Sequence, residues 1–141
     1  MRPDRFLQFA LATAASIPEF TRVERITEDG KSNRPYLFRV EAGGKTSRWQ
    51  TVAVSAPGDK YDQPEREPVL GNKPEPPTPP PAEVGSPEQV EGALIAALLA
   101  ADVGEISGVE AYSLRQPAGA IAHGATFLFH GGAKIFLNHV Q

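Results

Sequence analysis

The chain has no cysteine, one tryptophan, one methionine and no apolar run close to the length of a bilayer span. Lack of cysteine removes disulfides, thiolate zinc ligands and a thiol nucleophile together, and leaves the redox compartment unmarked. The longest apolar stretch, residues 93–101, is well short of the ~20 residues that cross a membrane, so it reads as a core helix. Signatures of chemistry are missing too. Neither Ser55 nor Ser107 sits in a Gly-x-Ser-x-Gly elbow, and the glycines fit no phosphate-loop or dinucleotide fingerprint. The sequence therefore gives no reason to expect an enzyme or a cofactor.

What is present is a chain of 141 residues, 40% hydrophobic, with 14 prolines and 13 glycines. That is enough to bury a core and form one domain. The formal charge of −3 hides an asymmetry: residues 1–60 carry ten Lys and Arg against seven Asp and Glu, residues 61–141 four against ten. Arg exceeds Lys and Ala is abundant, the coding bias of a GC-rich bacterial or phage genome.

Two helices are expected. The first covers about residues 3–15, with Phe6, Leu7, Ala10, Leu11 and Ala14 on one face, and ends at Ile17-Pro18. Its basic start and short apolar segment also have the outline of a secretion signal, although Asp4 and Gln8 interrupt that pattern. The second covers residues 86–102. Ser86 is the N-cap, Pro87 suits the first helical position and Gln89 completes a capping box. Val90, Leu94, Leu98, Ile95 and Leu99 spread over half its circumference, and Gly92, Ala96 and Ala100 fill much of the rest. Such a helix needs cover on nearly every side.

Strands are expected at 20–27, 35–42, 45–54, 105–115, 121–130 and 133–140. Asp29-Gly30, Gly43-Gly44 and Gly131-Gly132 mark tight turns. A two-residue turn at Gly43-Gly44 sets Phe38 opposite Trp49, with Arg39 opposite Arg48 on the other face. A two-residue turn at Gly131-Gly132 sets Phe127 opposite Phe136 and Leu128 opposite Ile135, leaving both faces of the last ribbon apolar. Residues 61–85 are rich in proline and read as an exposed connector. The fold class is thus α+β: two helix-plus-three-strand units, at 1–60 and 86–141, joined by the 61–85 connector, with antiparallel sheet and helices packed on one face. The order resembles in outline helix–three-strand–helix RNA-binding folds and small secretion-chaperone folds, though no motif carries either likeness.

Function is read from this pattern. The apolar helix and two-faced ribbon point to a non-enzymatic protein-binding module or assembly subunit, an adaptor, chaperone-like or phage accessory protein. Its core or self-association surface would be formed by Leu94, Ile95, Leu98, Leu99, Phe127, Leu128, Ile135 and Phe136. A protein partner or second copy is implied, and a cytoplasmic or virion-associated setting fits. An alternative is nucleic-acid binding through Arg22, Arg25, Lys31, Arg34, Arg39 and Arg48, although the aromatic face of that meander lies opposite its arginines. A further alternative is a metal-dependent hydrolase with histidines shared between subunits. In the expected ribbon His123 and His139 point to opposite faces and His130 and His139 lie on the order of 20 Å apart, so no metal ligand set forms within one chain. The acidic residues Asp59, Asp62, Glu65 and Glu67 are expected in a solvated loop.

Overall fold

The computed structural model describes residues 1–26 and 36–141. Along the chain run α1 (Pro3–Ala15), β1 (Phe20–Ile26), β2 (Leu37–Ala42), β3 (Lys45–Val54), α2 (Pro87–Ala101), β4 (Ile106–Ala111), a short 3-10 turn at Tyr112–Leu114, β5 (Gly124–Phe129) and β6 (Lys134–Val140). The six strands form one antiparallel sheet in the order β1-β2-β3-β6-β5-β4. The architecture is α+β, as expected. The Asp29-Gly30 turn, Lys31 and Arg34 lie outside the described residues.

Helix α1 starts with Pro3 behind Arg2, which makes no side-chain cap, and carries Asp4 in its first turn, where the dipole favours it. Phe6, Leu7, Ala10 and Ala14 are buried, and the Phe6 ring meets those of Phe127 and Phe129 at 5.6 and 6.4 Å. Helix α2 begins with the capping box its sequence spells: Ser86 Oγ accepts the Gln89 amide at 3.2 Å and Gln89 Oε1 accepts the Ser86 amide at 3.1 Å. It is stopped by Asp102, whose carboxylate accepts the amides of Gly104, Glu105 and Ile106 at 3.0 to 3.2 Å. Those three donors turn the chain directly into β4.

The first ribbon has the expected register, with Phe38 opposite Trp49, Arg39 opposite Arg48 and Val40 opposite Ser47. Its ring face is fully buried, and Trp49 donates to Ser47 Oγ at 2.8 Å. The last ribbon is displaced by one residue from expectation. Phe127 faces Ile135, Thr126 faces Phe136 and Leu128 faces Lys134. The cause is the turn. Phe129 N–H bonds Ala133 O at 3.1 Å and Gly132 N–H bonds Phe129 O at 2.9 Å, so His130 joins the two glycines in a three-residue loop, with Gly132 at φ 99°. Such loops place glycine in the left-handed region after a tight turn. A one-residue slip reverses which side chains share a face: Phe127 and Ile135 become fully buried, while Leu128 and Phe136 go to the other side. Strand β4 is also shorter than expected. After Ala111 the chain turns so that Tyr112 Oη lies 2.8 Å from Thr126 Oγ1 and the Arg115 guanidinium stacks on the Tyr112 ring at 3.7 Å.

Residues 55–85 contain no helix or strand and are mostly exposed, yet they are fastened to the body at several points. Asp59 takes Arg2 and Glu65 takes Arg5; Gly71 N–H bonds Gly104 O at 2.9 Å and Lys73 Nζ reaches Ala100 O at 3.3 Å. Pro81 then lies against Gly92 so closely that an added Cβ would sit 3.3 Å from its ring. The small-residue side of α2 thus receives part of its cover from the chain's own proline-rich strap. Asp59 and Glu65 are half-buried ion-pair partners and not members of a solvated loop, whereas Asp62 and Glu67 are exposed.

Candidate functional site

Strand alternation divides the sheet's side chains into two sets, and one of them holds the fully buried Phe38, Trp49, Phe127 and Ile135. The other set is more open, although Leu37 on it is only 1% exposed. Val52 pairs with Phe136 across β3 and β6, and the next row on this side holds Val54, Lys134 and Leu128. Val52, Val54 and Leu128 are 42%, 49% and 41% exposed, and Phe136 is half-buried at their centre. Direct and diagonal cross-strand neighbours lie within about 8 Å, so these four adjoin one another around Phe136, with Lys134 between Val54 and Leu128. The strip is thus continuous through Phe136, and that continuity separates it from scattered exposed aliphatics.

The eight residues singled out from the sequence are thereby separated. Leu94, Ile95, Leu98, Leu99, Phe127 and Ile135 are enclosed by this chain alone. Leu128 and Phe136 belong to the strip. Sequence reasoning missed Val52 and Val54; the signal was present, since they continue the parity of Gln50 on β3. A second apolar hollow, lined by Ile17, Pro18, Pro81, Val84 and Ala97, lies between the end of α1, the strap and α2.

At the far end of the same open side the surface is a lattice of both charges. Arg22 is paired with Glu24 and lies 3.9 Å from Glu41, and Arg39 donates to Glu24 at 2.7 Å. These two arginines draw the Glu24 carboxyl below its ordinary value, Arg39 more than Arg22. Arg48 donates to the Gln141 carbonyl oxygen, and Arg25 is exposed opposite Phe38. Phe38 and Trp49 are buried and offer no ring for a base to stack on.

The densest ionic node lies elsewhere. Arg5 forks onto Glu105 at 2.6 and 2.8 Å and onto Glu65, while Arg2 holds Asp59 at 2.9 Å. Glu105, then Glu65, raises the Arg5 pKa, and Arg5 in turn lowers that of Glu65. The arrangement fixes the strap to α1 and to the start of β4. Every carboxylate in it has a guanidinium partner, and Glu110 is paired with Arg115. Among the described residues no three His, Asp or Glu side chains converge as a metal site.

The histidines are regrouped by the ribbon slip. His123 and His139 become directly opposed: His139 N–H bonds His123 O at 3.1 Å and the rings stand 6.0 Å apart. They do not point to opposite faces, as the expected register required. His130 is drawn to the strap, its ring nitrogen 2.9 Å from Asn72 O. No described helix is long and apolar enough to cross a membrane. Compared with protein-family models, curated proteins and solved structures, the chain gives no match.

Proposed function

We propose that this chain is a non-enzymatic protein-binding module, an adaptor or assembly subunit, and that its working surface is the strip formed by Val52, Val54, Leu128 and Phe136. In this reading both helices cover one face of the sheet, the two αβββ halves are a structural pseudo-repeat meeting at β3 and β6, and the uncovered face meets the partner. The observation that carries it is the contiguity of the strip across three strands. An antiparallel sheet with one solvated face ordinarily alternates apolar inward with polar outward; here the outward pair Val52–Phe136, with Val54 and Leu128 in the next row, is apolar. An apolar patch with one cation set between two of its members suits another protein surface better than a small polar substrate. The carboxylates that pair Arg22 and Arg39 weigh against a phosphate backbone as the partner.

The test is recovery of wild-type protein and a Val52→Asp/Leu128→Asp variant from the native host, with light scattering on both. A companion chain, or a second copy, held by the wild type and lost from the folded variant supports the reading. Identical companions and identical mass for the two proteins contradict it.

A further inference from the structure

The pairing of His123 with His139 has no role in the proposed surface, yet it is the closest approach of two titratable rings among the described residues. His139 stands near the end of β6 with its ring 5.2 Å from that of Trp49 and 6.0 Å from that of His123. Its amide is bonded to the His123 carbonyl at 3.1 Å, the contact that holds residue 123 to β6 just before β5 begins. His123 Nδ1 is buried without a hydrogen-bond partner. His123 and His139 line one notch with residues 120–122, Gln50, Pro87, Asn138, Val140 and Gln141, and Trp49 lies buried directly behind the His139 ring.

We propose that His123 and His139 form a proton-operated latch: protonation of His139 against His123 parts the two segments at this point, frees 116–123 from β6 and uncovers Trp49 behind the His139 ring. The surroundings supply the reason. From β3, Arg48 adds positive charge; from the 120–123 segment, His123 adds another on protonation; β6 itself offers only Asn138 and Val140 beside His139. The nearby carboxylate is Glu91 of α2, and its oxygens are taken by the amides of Gly124 and Ser113 and by the Ser113 hydroxyl. Of the other acceptors lining the notch, the Gln141 carbonyl oxygen is taken by Arg48, and Asn138 Oδ1, buried without a partner, belongs to a side chain on the opposite side of β6 from His139. Burial, then His123, then Arg48 lower the His139 pKa from 6.5. The sign follows: neutral His139 stabilises the closed notch fully above ~6.5, the ordinary histidine value, and that stabilisation is lost as pH falls through its lowered native value.

Trp49 is the sole tryptophan, so its emission reports the notch, and the His139 amide reports the latch bond. In the whole chain, titrated from about pH 8 to about pH 5, Trp49 emission should change reversibly on the acid side of ~6.5. Over the same interval, exchange of the His139 amide, corrected for its intrinsic pH dependence, should accelerate about tenfold. Both changes should be lost in His139→Gln and in His123→Gln, the second serving should the first fail to fold. A protonated ring alone can quench tryptophan, so an emission change without faster exchange overturns the latch. Flat emission in the wild type, or a transition that survives in a folded glutamine variant, overturns it as well.

Discussion

Two residues show how much of this fold depends on single atoms that meet from distant parts of the chain. Glu91 is buried on α2 and accepts the Gly124 amide at 2.8 Å and the Ser113 amide at 3.1 Å, as well as the Ser113 hydroxyl. It ties α2 to the segment on either side of the 115–123 excursion. Glu91→Ala would orphan those donors and should cost about 3 kcal/mol, read by urea unfolding. Gly124 is the second. At φ 141°, an added Cβ would sit 2.2 Å from Leu137 O and 2.9 Å from the Tyr112 ring. Gly124→Ala should destabilise by more than about 2 kcal/mol, measured the same way. Neither role was legible in the sequence. Glu91 reads as an ordinary charge in a helix's first turns and Gly124 as a turn residue, because both meanings are fixed by partners far along the chain.

Elements were legible wherever local chemistry wrote their ends. Ser86, Pro87 and Gln89 specify the start of α2, and Ser86→Ala should lower stability by about 1 kcal/mol, again by urea titration. Gly43-Gly44 fixed the first ribbon's register for the same reason. The last ribbon failed because Gly131-Gly132 permits loops of two or three residues. The choice between them is made by which faces must be buried, and no local signal records it. The strap was legible as an extended, largely exposed connector, but its attachments were not. Proline content tells that a segment is extended, not what it lies on, and its contacts with Arg2, Arg5, Gly92 and Gly104 are all non-local. Its attachment should be acid-sensitive. Arg2 lowers the Asp59 carboxyl from 3.8 and Arg5 lowers that of Glu65 from 4.5. These pairs hold fully above those ordinary values and are lost as pH falls through the depressed ones. Arg5→Ala should reproduce the release at neutral pH, with the Gly71 amide exchanging about tenfold faster; unchanged exchange would show that the strap is held by other contacts.

At the scale of the molecule, the sequence raised one question: what covers an all-round apolar helix and the closing ribbon. The chain answers most of it internally. α1 closes over the Phe127 side, with Phe6 wholly buried against two aromatic rings, and Phe6→Ala should cost about 4 kcal/mol. That loss, measured by thermal or urea unfolding, would mark α1 as part of the domain's core. The strap covers part of the small-residue side of α2. What stays open is the strip on the other side of the sheet, where the ribbon slip delivered Leu128 and Phe136 beside Val52 and Val54. A photoreactive side chain placed at position 128, and as a control at the exposed Glu88 position on α2, tests this in cells. The account predicts a discrete cross-linked product, a second protein chain or a copy of this one, from position 128 and none from position 88. Equal products from the two positions, or none from 128, would contradict it.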